Sequence, residues 1–245
     1  VCEGNNAQFS TQADGAVNYQ WQKDEVNIAG KNSPTLILNN VTATDSGVYR
    51  CLLFSLCDTI ATDGALLTVK ISPQITLQPL PSVICEGQQV QFETKATGSG
   101  LSWQWTRDGS DLTDGNGISG THMQTFLINP ADLSDAGIYS ARIIGYCGSV
   151  TTGTVMLSVT PAPQIVAHPQ AVTTCENLSA AFTVVITGTV TYQWQKDNID
   201  LPGQTSASLN LNNVSPADAG IYRCKITASC GVLFSNGALL TVNRN

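Results

Sequence analysis

Tyr19-Gln20-Trp21-Gln22-Lys23-Asp24 returns as Trp103-Gln104-Trp105-Thr106-Arg107-Asp108 and again as Tyr192-Gln193-Trp194-Gln195-Lys196-Asp197. Alternating aromatic and polar residues read as a half-buried strand, and three copies of one phrase read as an internal repeat. Moving outward, each copy begins at Cys2-Glu3-Gly4, Cys85-Glu86-Gly87 or Cys175-Glu176-Asn177, followed by Phe9, Phe92 or Phe182. Beyond the phrase lie alternating strands at 36–41, 126–131 and 209–214. Then come Asp45-Ser46-Gly47-Val48-Tyr49, Asp135-Ala136-Gly137-Ile138-Tyr139 and Asp218-Ala219-Gly220-Ile221-Tyr222, and closing strands at 65–69, 154–159 and 238–242. No segment carries a sustained helical period, so the expected class is all-β.

A Trp on the third strand with an Asp-x-Gly-x-Tyr corner ahead of the sixth resembles the immunoglobulin-like β-sandwich, and the likeness covers nearly the whole chain. The phrase Tyr-Gln-Trp-Gln-Lys-Asp, with the low charge, is similar to tandem immunoglobulin-like repeats of bacterial surface and secreted proteins. The resemblance implies three tandem immunoglobulin-like β-sandwich domains in an extended rod. Their expected spans are 1–71, whose opening strand is missing, 72–160, with a loop insertion at about 108–120, and 161–245. The boundaries fall at Lys70-Ile71-Ser72-Pro73 and Thr160-Pro161-Ala162-Pro163, where proline blocks ladder bonding. By the two-residue period of a strand, Trp21, Trp105, Trp194, Tyr49, Tyr139 and Tyr222 are assigned to the cores.

The eight cysteines depart from the familiar sandwich. The cystine that usually joins strands B and F cannot form, because Thr11, Thr94 and Val184 occupy the B slots and Ala141 occupies one F slot. Cys51 and Cys224, in the other F slots, read as buried free thiols. One cysteine per copy remains before strand B (Cys2, Cys85, Cys175) and one in the F–G turn (Cys57, Cys147, Cys230). Counting pairs them within each domain, but in this fold those positions lie at opposite poles, beyond the 4.4–6.8 Å that a cystine allows between Cα atoms. Domains stacked end to end would instead pair Cys2 with Cys147 and Cys85 with Cys230, leaving Cys57 and Cys175 to face neighbouring domains. In-domain pairing and reduced thiols are the alternatives.

A net charge of −7 with eleven Lys plus Arg offers no basic patch for nucleic acid. No apolar run approaches the ~20 residues of a membrane span. The histidines, His122 and His168, have no ligand or triad partner nearby in sequence, so no cofactor or catalytic site is expected. Asp108, Asp111 and Asp114 on the second copy's longer loop are the one calcium candidate, and their spacing does not fit an EF-hand. An ordinary turn is the competing reading. Gln20, Gln22 and Arg50 should form an outward polar face. Phe54, Tyr146 and Phe234 are aromatics left over from the cores and are expected at the domain junctions.

The functional expectation is a non-catalytic extracellular or cell-surface rod, a stalk or fibre segment capable of head-to-tail assembly. Its partners would be further copies, further immunoglobulin-like domains, or surface glycans and proteins. The alternatives are a glycan- or protein-binding adhesin module, or an accessory region of a large secreted hydrolase.

Overall fold

The computed structural model describes residues 1–14 and 18–244. They form two compact units: Val1–Pro81 with Gln91–Ile128 and Gly137–Met156, and Ser82–Val90 with Asn129–Ala136 and Leu157–Asn245. The first holds the whole of the first repeat, and the second the whole of the third.

In the first repeat, strand C (Asn18–Lys23) lies between Val26–Asn27 and strand F (Gly47–Phe54), with Trp21 opposite Cys51 and Lys23 opposite Tyr49. Strand F also pairs with Thr59–Ala61 and Ala65–Leu67. The facing sheet is strand B (Ala7–Ser10) against strand E (Thr35–Leu38), which sets Phe9 opposite Leu36. Side chains alternate across each strand, so one face of every strand enters a common interior. Trp21, Leu36, Val41, Tyr49 and Cys51 are buried there, and Phe9, Tyr19 and Leu38 pack against them half-buried.

The third repeat reproduces this arrangement. Strand C (Thr191–Lys196) pairs with strand F (Gly220–Ala228), placing Trp194 opposite Cys224, and Ala180–Thr183 pairs with Ser208–Leu211, placing Phe182 opposite Leu209. Phe182, Trp194 and Tyr222 are buried. In the middle repeat Trp105 faces Ala141, and Phe92, Phe126 and Tyr139 close the ring cluster with centroid separations of 5.2 Å (Phe92–Tyr139) and 5.7 Å (Phe126–Tyr139). The indole N–H groups of Trp21, Trp105 and Trp194 donate to the carbonyls of Ser33, Met123 and Ser206 at 2.8–2.9 Å, so these three core rings are buried with their polar atoms satisfied.

Opening strands are present where the repeats have them. Gln74–Leu77 pairs with Lys95–Thr97, and Gln164–Ala167 with Val185–Thr187. A second short strand, Ser82–Cys85 or Val172–Cys175, runs parallel to the last strand of its repeat and places Cys85 beside Thr160 and Cys175 beside Asn243. In the first repeat a single parallel bridge, Cys2 to Lys70, holds the same place.

The recurring Asp-x-Gly-x-Tyr corner has a double lock. The Tyr49 and Tyr222 hydroxyls donate to the carbonyls of Asp45 and Asp218, each at 2.8 Å. The carboxylates of the same residues accept the Thr42 and Ser215 amides, also at 2.8 Å. Glycine is required in the first corner because a Cβ at Gly47 would lie 2.6 Å from the Asp24 carboxylate, which itself accepts the Val48 amide at 2.8 Å.

The backbone hydrogen bonds from Thr42 and Ser215 hold the Asp45 and Asp218 carboxyls below the usual carboxylate range. A carboxyl that binds its proton more weakly when folded adds stability above the unfolded value of about 4, and loses it as pH falls through the folded value. Urea midpoints should therefore be flat across neutral pH and drop below about pH 4. Asp45→Asn with Asp218→Asn should remove part of that drop. An acid drop of unchanged steepness in the double variant would refute the assignment.

Candidate functional site: cystine junctions between repeats

The parallel pairing that sets each pre-B cysteine beside the end of the last strand decides where it can bond. In the third repeat Cys175 lies beside Asn243, while Cys230 sits in the turn between Ala228 and Gly231 at the far end of strand F. Strand F has nine residues, so at about 3.3 Å per residue the two cysteines are some 30 Å apart. In-domain pairing is therefore closed there. Cys2 and Cys147 instead form a cystine with a Cα separation of 5.7 Å, and Cys85 and Cys230 form another at 5.5 Å. Each joins the end of one repeat to the F–G turn of the next.

Around Cys2, the Glu3 amide donates to the Lys70 carbonyl at 2.9 Å and the Lys70 amide to the Val1 carbonyl at 2.8 Å. Cys147 Sγ lies 3.5 Å from that same Lys70 oxygen. The linker is tied to the second repeat by Ser99, whose hydroxyl accepts the Ile71 amide and whose own amide donates to the Ile71 carbonyl, both at 3.0 Å. The Tyr146 amide donates to the Ser99 carbonyl at 3.0 Å, and Lys70 Nζ stands 5.0 Å above the Tyr146 ring. That stacking needs a bare backbone nearby: a Cβ on Gly100 would lie 2.2 Å from the ring.

The second joint repeats the pattern with different side chains. The Glu86 amide donates to the Thr160 carbonyl at 2.9 Å, and Cys230 Sγ lies 3.7 Å from that oxygen. Thr160 and Ser229 stand where Lys70 and Tyr146 stand in the first, so the cation–π contact is absent. A cleft lined by Pro161, Pro163, Gly188, Thr189 and Ala228 takes the place of the packed ring.

Four thiols remain free. Cys51 and Cys224 are wholly buried opposite their tryptophans, and burial pushes both thiols up from their ordinary value. Ala141, equally buried, holds the same slot in the middle repeat. The B-slot Thr94 donates its hydroxyl to the Leu77 carbonyl at 2.8 Å and so secures the opening strand. Cys57 is exposed, and Cys175 half-buried.

The calcium candidates are not brought together. Asp108 accepts the Ile138 amide, Asp111 pairs with Arg142 at 3.1 Å, and Asp114 accepts the Thr121 amide and hydroxyl at 2.9 and 2.7 Å. The Thr121 hydroxyl and amide hold Asp114 below the usual carboxylate range. Among the described residues no three His, Cys, Asp or Glu side chains are grouped to hold a metal. Of the histidines, His168 accepts the Asn236 amide through Nδ1 at 3.0 Å, a bond within the fold.

The expected polar face is largely consumed. Gln20 donates to the Trp21 and Ile28 carbonyls, and Gln22 bonds Asn27 and Arg50 at 2.8 and 2.7 Å. Tyr146 lies at a junction, whereas Phe234 lies on the hairpin strand Gly231–Phe234 with the Arg223 guanidinium 4.6 Å from its ring.

The family model for the immunoglobulin domain matches residues 72–143 and 162–227, more than half of the chain. The chain belongs to the immunoglobulin-domain family. A relative is the peroxidasin homolog of Homo sapiens, 29% identical over 218 residues, covering 85% of this chain and 15% of that protein's length. The chain thus spans a small part of that relative. Among solved structures, the titin I-band fragment I67–I69 has a TM-score of 0.75 at 20% identity, covering 99% of this chain and 94% of the fragment. The N-terminal eight immunoglobulin domains of Down Syndrome Cell Adhesion Molecule give 0.59 at 19% identity, covering 99% and 35%. Both likenesses bear on the fold alone.

A thiol-reactive maleimide should label Cys57 at once and reach Cys51 and Cys224 only on unfolding. Replacing Cys85 and Cys230 together by Ser should lower stability by about 5 kcal/mol, the loop-closure value for a loop of 145 residues. Labelling of Cys85 or Cys230 in the native, unreduced chain would contradict the joint.

Proposed function

We propose that this chain is a non-catalytic, extracellular, load-bearing and adhesive segment of a surface protein, built from three immunoglobulin-like domains spanning 1–71, 72–160 and 161–245. The observation that carries the reading is the pair of cystines that cross from repeat to repeat. A string of independent binding modules has no use for covalent joints at its linkers; a segment that transmits force does. Cystines persist in oxidising compartments, which supports an extracellular or cell-surface place. No helix of the described residues is long and apolar enough to cross a membrane. The low charge and the absent B–F cystine support a bacterial surface protein as the setting. The adhesive part of the reading, with other immunoglobulin-like domains as partners, rests on the tandem immunoglobulin-domain architecture.

The mechanical consequence follows from connectivity. The cystines interlock, since Cys85 lies between Cys2 and Cys147 in sequence, and Cys147 lies between Cys85 and Cys230. With both closed, the 62 residues from Cys85 to Cys147 are the shortest covalent path between the two bonds. At about 3.5 Å per residue, unfolding can separate the joints by only about 220 Å. Reduced, the 228 residues from Cys2 to Cys230 would release about 800 Å. Single-molecule pulling from the two ends should therefore show a total extension several-fold shorter for the oxidised chain than for the reduced one. Equal extension under both conditions would sink the load-bearing reading.

A further inference from the structure

Among the described residues, strand E has a neighbour on both sides in the middle repeat alone. There Thr125–Ile128 pairs with strand B on one side and with Ile118–Ser119 on the other, Leu127 standing opposite Ser119. Ile118–Ser119 belongs to the longer loop of that repeat. In the first and third repeats, strands B and E make a sheet of two, and no described strand lies along the far side of strand E. The edge is open there.

Which groups face that edge follows from register. In the first repeat the Thr11 amide donates to the Pro34 carbonyl at 3.0 Å, and the pairs Phe9–Leu36 and Ala7–Leu38 continue the ladder at every second residue. Hydrogen-bonded pairs alternate along antiparallel strands, so Leu36 and Leu38 bond strand B while Thr35 and Ile37 turn their N–H and C=O groups to the edge. Charge does not guard it. Residues 4–13 and 32–44, which hold strands B and E, contain no Asp, Glu, Lys, Arg or His, and no proline lies between 35 and 44. The Ile37 side chain, on the outer face, is exposed, whereas the third repeat has an exposed Asn210 at that place.

We propose that this edge is a self-association surface: strand E of the first repeat pairs antiparallel with strand E of a second copy, about a two-fold axis at Ile37. That the occupant is a strand is indicated by the middle repeat, where the chain fills the same edge with a strand of its own. That it is a second copy is indicated by self-complementarity. With Ile37 opposite its twin, each offers one N–H and one C=O to the other, and Thr35 falls opposite Asn39 of the second copy. The two Ile37 side chains then stand about 5 Å apart at Cβ on one face and cover each other. Lys23, Asp24, Glu25 and Arg50 lie on or beside strands C and F, in the other sheet. Two copies of a chain of net charge −7 can thus meet along this edge with no like charges opposed. A strand pair this short buries well under the roughly 1,200 Å² of a stable interface, so the contact is weak and needs a high local concentration. The surface serves the adhesive part of the function proposed above and does not depend on the cystine joints.

The test follows backbone amide exchange by nuclear magnetic resonance on the full chain as its concentration rises from micromolar to millimolar. The Ile37 amide should exchange freely in dilute chain and slow several-fold in concentrated chain, while Leu36 and Leu38, bonded to strand B, stay protected throughout. Sedimentation should show monomer passing to dimer over the same range. Ile37→Lys, which sets two cations face to face on the two-fold axis, should stay monomeric with an unchanged circular dichroism spectrum. Asn210→Lys, the same change on the third repeat, should still dimerise. The exchange measurement on the wild type uses no variant, so misfolding of Ile37→Lys cannot mask the answer. A wild type that stays monomeric at millimolar concentration would overturn the proposal and leave the edge to a foreign strand. A dimer that leaves the Ile37 amide unprotected, survives Ile37→Lys or is lost in Asn210→Lys would overturn it as well. So would protection of Ile37 at every dilution, which would mean that the chain covers its own edge. In each case the cystine pairs recovered by peptide mapping decide the junction reading separately.

Discussion

Strand direction is the constraint on which the rest of this molecule depends. A short strand that runs parallel to the last strand of its repeat carries a cysteine to the very place where the chain leaves for the next repeat. The F–G turn lies at the other end of strand F, about a full sandwich length away. A bond of fixed reach can therefore be made only forward, from the exit of one repeat to the F–G turn of the next. With this go the short linkers, the glycine at 100 that admits the Tyr146 ring, and the interlocked order of the two cystines along the chain. Cystines in immunoglobulin domains commonly brace the interior of one sandwich. Here the interior relies on ring packing and the braces sit at the joints.

Each interior does without a cystine for a visible reason. Trp105 stands opposite Ala141 just as Trp21 and Trp194 stand opposite Cys51 and Cys224, and all six are buried. A slot that takes Ala or Cys interchangeably is selecting for small size and low polarity. Indole, phenol and phenyl rings supply the buried area, and the Tyr corner fixes the crossover between sheets with a hydrogen bond at each end.

The core was legible in the sequence because its signals are local and repeated three times. A Trp or Tyr at a fixed phase of an alternating strand has one place to go. The direction of the cystine joints was legible for a similar reason, since strand order fixes poles. Side-chain hydrogen bonding was not. Gln20 and Gln22 stand at the outward phase of strand C, yet their amides are spent on the adjacent hairpin and on Arg50. Alternation tells which face a residue occupies and nothing about which neighbour its amide meets. The loop bearing Asp108, Asp111 and Asp114 misleads in the same way: close in sequence, its carboxylates turn to an amide, a guanidinium and a threonine.

The central claim is covalent, so the most direct measurement is proteolysis of the unreduced chain followed by mass spectrometry of the cysteine peptides. The account predicts one linked pair containing Cys2 and Cys147 and another containing Cys85 and Cys230, with Cys51 and Cys224 recovered as free thiols. Linked peptides within one repeat, such as Cys85 with Cys147 or Cys175 with Cys230, would contradict it.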